Sequence, residues 1–265
     1  MKAVRIAGLS GESPELAALW DLGCLGLQED HDLEGVAVIA YFEAEVDLPV
    51  AGTWSEVPAV DYVARYQAGL GPVTFGHLVV APSHARVELA AGQTVLWLDP
   101  GAAFGTGHHE TTGLALAALA RLDLAGRSVL DVGSGSGLLA IAADRLGAER
   151  ALGVDVDAST VAVARANARR NRSRARFAAG SLATKGLPGR FDVMVANLYA
   201  ELHRDLFPQY ARRLVVGGRL LLTGVLADRR DVVVGAAPRC LTPAGEERAG
   251  EWLLLEFERA GAPCG

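Results

Sequence analysis

Residues 129–143 read VLDVGSGSGLLAIAA: an apolar run, a loop of alternating glycine and serine, and a second apolar run. The first run reads as a buried strand and the second as a buried helix. Glycines between the two let the backbone pass close to a ligand at the helix N-terminus. The same alternation continues on both sides. TTGLALAALARLDL is helical, RALGVDVD a strand, ASTVAVARANARRN a helix and RARFAAGS a strand. RFDVMVANLY is a strand, AELHRDLFPQYARRL a helix, GGRLLLTGVL a strand and EWLLLEFER a final strand. Strands that alternate with helices predict an α/β fold whose parallel sheet is covered on both faces.

The N-terminal part differs. Residues 4–6 suit a strand, and Ser13, Pro14 and Glu15 suit the N-cap and first turn of a helix that runs through Trp20. Residues 25–29 and 35–42 suit two more strands. A β-α-β-β unit over 1–55 buries little surface alone, so it leans on something or is a docking module. Residues 56–70 suggest a linking helix, and the catalytic domain is expected over 71–265, with GHLVVAPSH and QTVLWLDPG as its first strand-like runs.

Hydrophobic residues make up 51% of the 265, enough for a sizeable core. A net charge of −6 argues against binding nucleic acid through phosphate charge, while an acidic surface suits a basic protein partner. Three scattered cysteines without zinc spacing point to a reducing cytosol, with no evident partner for Cys264. No uncharged apolar run reaches 18 residues and no signal-like segment opens the chain, so a cytoplasmic protein without a membrane span is expected.

The glycine loop departs from the dinucleotide pattern GxGxxG, whose last glycine would fall on Leu138; this disfavours a nicotinamide enzyme. The pattern is GxGxG over Gly133, Gly135 and Gly137, with Asp131 two positions earlier. An acid there suits a ligand with a positive charge and amino groups, and S-adenosylmethionine has both. Asp155 ends the next strand, 18 residues after Gly137, where a carboxylate can take both ribose hydroxyls. The alternative is a plain turn with Asp155 as a helix cap.

The strand FDVMVANLY ends in Asn197, Leu198 and Tyr199. Carboxyl ends of strands line the crevice of a doubly wound sheet, so Asn197 faces the same cleft as Gly133 and Asp155. Many methyltransferases of amino groups carry Asn/Asp-Pro-Pro-aromatic here; Leu198 alone replaces the middle pair. A lysine amine must lose its proton before methylation, at a cost of roughly 4–5 kcal/mol at neutral pH that a dry pocket reduces. An amide oxygen can then hold the neutral amine. Asn197 could instead cap the helix that starts near Ala200. Tyr199 and Phe104 could wall a lysine channel or simply be packed.

AAFGTGHHETT, residues 102–112, is unusual in so apolar a chain. Neighbouring side chains such as His108 and His109 diverge too far to share a metal, and no phosphate-loop Gly-Lys follows. The stretch suits a flap over the methionine end of the cofactor, with Thr112 at the start of a helix.

PGAAFGTGHHETT, VLDVGSGSGLLAIAA, GVDVD and VANLYAELH together resemble the PrmA family, over nearly the whole chain. The resemblance implies a class I (Rossmann-like) S-adenosylmethionine-dependent methyltransferase with a seven-stranded, mostly parallel sheet and a small N-terminal α+β domain. It implies trimethylation of lysines and of the N-terminal α-amine of large-subunit ribosomal protein eleven, gripped by the N-terminal domain. The cofactor site expected from these readings comprises Phe104, Gly105, Thr106, Thr112, Asp131, Gly133, Gly135, Asp155, Val156, Ser181 and Asn197, without a metal. Phe104, His109, Leu198 and Tyr199 are expected at the substrate channel, and a monomer is expected. The family's usual tryptophans in the linker and after the Ala-Pro pair are replaced by Tyr66 and Ser83-His84. Arg165, Arg169, Arg170, Arg172, Arg174 and Arg176 read as complements to a helix dipole, solvated rather than bound to RNA.

Overall fold

The computed structural model describes residues 2–9, 13, 15–32, 35–56, 71–99, 109–184, 187 and 189–261. They fall into two units, Met1–Ala68 and Gly69–Gly265. In the first, β1 (Lys2–Ala7), α1 (Leu16–Asp21), β2 (Gly26–Asp32), β3 (Gly35–Phe42) and β4 (Thr53–Glu56) form an antiparallel sheet in the order β2-β3-β1-β4 beside one helix. Val4 and Ile6 alternate toward a small core with Leu19, Ala40 and Phe42. β4 is an addition to the sequence reading, which placed Glu56 in the linker. Its TWSE pattern exposes most of its residues, so periodicity carried no signal. Ser13 accepts the Leu16 N–H through its carbonyl, and Glu15, not Ser13, holds the cap position. The remaining linker residues, 57–70, lie outside the described residues.

The second unit begins with a three-stranded sheet, β5 (Val73–Phe75), β6 (Leu78–Ala81) and β7 (Thr94–Trp97). There follow α2 (Glu110–Arg121), β8 (Ser128–Val132), α3 (Leu138–Arg145), β9 (Arg150–Asp155), α4 (Ala158–Arg170) and β10 (Arg176–Ala179). β11 (Phe191–Asn197), α5 (Ala200–Arg213), β12 (Leu214–Leu226), α6 (Arg230–Val234), β13 (Leu241–Ala249) and β14 (Trp252–Arg259) complete it. The main sheet has seven strands in the order β10-β9-β8-β11-β12-β14-β13. β8 to β12 run parallel, and β14 is antiparallel to both its neighbours. This is the α/β architecture expected from the alternation, in the Rossmann-like form that the family resemblance implies.

Two separate hydrophobic clusters lie on the sheet, which explains why its strands are continuously apolar. β13, LTPAGEERA, escaped the reading because it is a largely exposed edge strand, the place where Pro243 and a register shift are tolerated. From β8 the chain winds to β9 and β10 on one side and to β11 and β12 on the other, which opens a crevice at the carboxyl ends of β8 and β11.

Cys24 is a buried free thiol, whereas Cys240 is buried and disulfide-bonded. Cys264 lies outside the described residues. Among the arginines of the basic run, Arg170 pairs with Asp99, Arg174 with Asp144, and Arg165 donates to the Phe177 carbonyl. Among the described residues no helix is long and apolar enough to cross a membrane.

Candidate functional site

The crevice begins at the glycine loop. Gly133 has φ +73°, and a Cβ there would stand 2.7 Å from Leu198 Cδ2, so the position demands glycine both for its backbone and for its close approach to the opposite wall. The N–H groups of Gly133 and Ser134 donate to the Val154 carbonyl at the end of β9. Asp155 fixes the next part of the loop. Its Oδ2 accepts the Gly135 N–H at 2.8 Å and its Oδ1 accepts the Asp157 N–H at 3.0 Å. The helix cap is Asp157, which accepts the Ser159 N–H, so Asp155 is free of the capping role considered for it.

Asp131 sits beneath the loop. It is 1% exposed and accepts the Ala140 N–H at 3.2 Å. Burial raises its pKa to about 7; the Ala140 N–H opposes this in part and the Asp155 charge adds to it. A cation in the crevice is attracted by both acids.

The other wall is the end of β11. Asn197 Nδ2 donates to Thr111 Oγ1 at 3.1 Å and, more weakly, to Thr112 Oγ1 at 3.4 Å. Among the described residues no hydrogen bond reaches Asn197 Oδ1, which leaves its acceptor available. Tyr199 holds the N-cap position of α5 without a side-chain cap bond, and Asn197 does not cap that helix. Both threonines are buried in the first turn of α2. His109 caps α2: its Nδ1 accepts the Thr111 N–H and lies 2.8 Å from the Thr111 hydroxyl. Since that nitrogen accepts, the Thr111 O–H donates to it, and a chain runs from Asn197 through Thr111 to His109. The His109 ring rests edge-on against Trp252, centroids 5.2 Å apart.

A cavity of about 500 Å³ fills the crevice. The expected residues Thr112, Asp131, Gly133, Gly135, Asp155, Val156, Ser181, Asn197 and Leu198 all line it, with Val156 at its open rim. His109 holds the N-cap of α2 and Tyr199 is exposed at the N-cap of α5; neither is among the described residues that line the cavity. Phe104, Gly105, Thr106 and His108 lie outside the described residues. Sequence reasoning passed over Asp157, Thr160, Gly180, Leu182, Leu202 and Leu206 in the lining. The spacing of Leu198, Leu202 and Leu206 at every fourth residue was a readable signal for the last two. Among the described residues no group of three or more His, Cys, Asp or Glu is placed to hold a metal.

The sequence profile of the family described as "Ribosomal protein L11 methyltransferase (PrmA)" matches residues 17–260. The chain belongs to that family. A ribosomal protein L11 methyltransferase of Thermus thermophilus is 48% identical over 98% of this chain and all of its own length. One from Deinococcus radiodurans is 42% identical over 92% of this chain and 93% of its own. Among solved structures, a ribosomal protein L11 methylase from Lactobacillus delbrueckii subsp. bulgaricus aligns with a TM-score of 0.64 at 31% identity, covering 72% of this chain and 100% of the other. The cofactor of this methyltransferase family is S-adenosylmethionine. The crevice fits it in volume, which lies in the usual range for small-ligand sites. It also fits in charge, with two acids for a cationic ligand. Ser134 Oγ adds a buried polar atom in the cavity wall without a partner among the described residues.

Proposed function

We propose that this protein methylates amino groups of large-subunit ribosomal protein L11 in the cytoplasm, carrying lysine side chains and the N-terminal α-amine to the trimethyl state. The observation that carries the reading is the Asn197 side chain, pinned through Nδ2 with its Oδ1 available at the cavity. When bound, S-adenosylmethionine supplies an electrophilic methyl group on a sulfonium. Gly133, Gly135, Asp155, Val156, Ser181 and Asp131 form the cofactor half of the site, Asp155 facing the ribose hydroxyls and Asp131 the cationic end.

Asn197 holds the substrate nitrogen. An amide oxygen accepts N–H bonds from an amine but takes no proton, so deprotonation rests on the dry surroundings given by Leu198, Leu202 and Leu206. Phe104, Gly105 and Thr106 complete the cover on the cofactor, in keeping with the AFGTG motif. The unit Met1–Ala68 supplies substrate contact; Trp20 and Leu25, each more than half exposed there, support this role.

The test is incubation with isotope-labelled S-adenosylmethionine and a mixture of ribosomal proteins, followed by mass spectrometry. Label is expected on lysines and the N-terminal amine of L11. Label on other proteins with none on L11, free or in the subunit, overturns the assignment.

A further inference from the structure

One buried polar side chain behind the β11 and β12 wall of the crevice has no part in the chemistry above. His203 lies one turn into α5, just past the corner formed by Asn197, Leu198 and Tyr199, and is wholly buried. Its Nε2 is 2.9 Å from the Thr223 carbonyl, which only accepts, so Nε2 carries the hydrogen. Its Nδ1 then accepts from the Tyr210 hydroxyl, 3.2 Å away and two turns further along the same helix. Burial lowers the His203 pKa to about 4, the Thr223 and Leu198 carbonyls opposing the shift in part. The ring is therefore neutral, in one tautomer, at every pH where amines are methylated.

The Thr223 carbonyl is the point where this ring meets the site. It also accepts the Leu198 N–H at 3.0 Å, and Thr223 is the β12 partner of Asn197 in the sheet register. Thr223 Oγ1 donates to the Leu253 carbonyl on β14, which anchors the residue from the far side. Gly224 follows with φ +82°, and a Cβ there would come within 2.5 Å of the Leu198 carbonyl and 2.9 Å of Asn197 Oδ1. The Thr223-Gly224 backbone is thus the floor beneath the Asn197 acceptor, and His203 pins that floor. A leucine would fill the same space without burying two ring nitrogens, so packing alone gives no reason for histidine here.

We propose that His203 is a positioning residue for amine methylation, holding Asn197 and Leu198 in place through the Thr223 carbonyl. The proposal rests on the reading of Asn197 as the group that holds the substrate nitrogen.

The experiment measures kcat on ribosomal protein L11 and the S-adenosylmethionine Kd for His203→Leu, His203→Gln, Asn197→Ala and the double variant Asn197→Ala with His203→Leu. His203→Leu is expected to lower kcat about 30-fold with Kd within about threefold, a loss typical of misplacement rather than of lost binding. His203→Gln, whose amide N–H can reach the same carbonyl, is expected to return to within about fivefold of the parent. In the Asn197→Ala background, His203→Leu is expected to add less than about threefold, because the two act in one unit. An unchanged kcat in His203→Leu overturns the proposal, as does a full additional loss in the double variant or a glutamine no better than leucine. A normal kcat in Asn197→Ala refutes the reading of Asn197 itself, and the proposal falls with it. Should His203→Leu fail to fold, Tyr210→Phe carries the test. It leaves Nδ1 without its donor and loosens the ring against the Thr223 carbonyl, and kcat is expected to fall about fivefold at constant Kd; no change in kcat overturns the proposal.

Discussion

The wall of the crevice at β8 and β9 holds its groups through neighbours in sequence, whereas the wall at β11 and β12 is stitched together from distant parts of the chain. On the first, Asp131 reaches Ala140 nine residues on, and Asp155 reaches Gly135 twenty residues back. On the second, Asn197 is held by Thr111, 86 residues away, and Thr223 ties β12 to Leu253, 30 residues on. The difference follows from the tasks. A cofactor half can be a strand, a loop and a helix N-terminus, all supplied by one βαβ unit. Holding a neutral amine requires one acceptor in one place, which takes support from several elements.

If the two walls divide the work in this way, substitutions in each should move different quantities. Asp155→Ala removes a carboxylate that orders the loop and faces the cavity. Cofactor affinity is expected to fall about 100- to 1,000-fold by calorimetry. A Kd within tenfold of the parent would mean that the local wall is not the binding wall. Gly133→Ala touches both walls, because its Cβ meets Leu198 and its backbone is strained at φ +73°. Affinity and kcat are each expected to drop about 10- to 30-fold, from strain of roughly 1–3 kcal/mol. Partial recovery in Gly133→Ala with Leu198→Ala would locate the clash, and loss in only one quantity would show that the walls do not touch.

The acids give a pH test. Asp131 titrates near 7 in the folded protein, and a cationic ligand favours its ionised form. Affinity is therefore expected to rise about tenfold between pH 6 and pH 8 and to level off above, while Asp131→Asn is expected to be flat over that range. The folded-state pKa is raised, so this group's contribution to stability is full below the unfolded value and is lost as pH rises through about 7. Asp131→Asn is accordingly expected to melt at a higher temperature than the parent at pH 8; a lower midpoint would contradict the burial penalty. The smallest effect belongs to the support of the distant wall. Thr111→Val removes one acceptor from Asn197 Nδ2, and kcat is expected to fall about fivefold at unchanged Kd. A matching loss of cofactor affinity would blur the division.

The same contrast explains what the sequence made legible. The loop, both acids and their strand and helix could be read because their contacts are local and leave a pattern of glycines and acids along 131–155. Asn197 could be placed at the crevice from topology alone. Its partners could not: nothing in the spacing of Thr111, Thr223 and Asn197 indicates that they meet. His109 belongs to the same class, since its place as a cap against Trp252 depends on β14 lying beside α2. The fold was legible where strands are buried on both faces, and failed at the edges. β4 and β13 expose most of their residues, so neither alternation nor a continuous apolar run marks them.

The most direct test of the division is Asn197→Ala, with cofactor Kd and single-turnover methylation of ribosomal protein L11 measured on the same preparation. A rate about 100-fold lower with Kd within about threefold of the parent is the predicted result. A rate near the parent's, or equal losses in rate and in cofactor affinity, would contradict it.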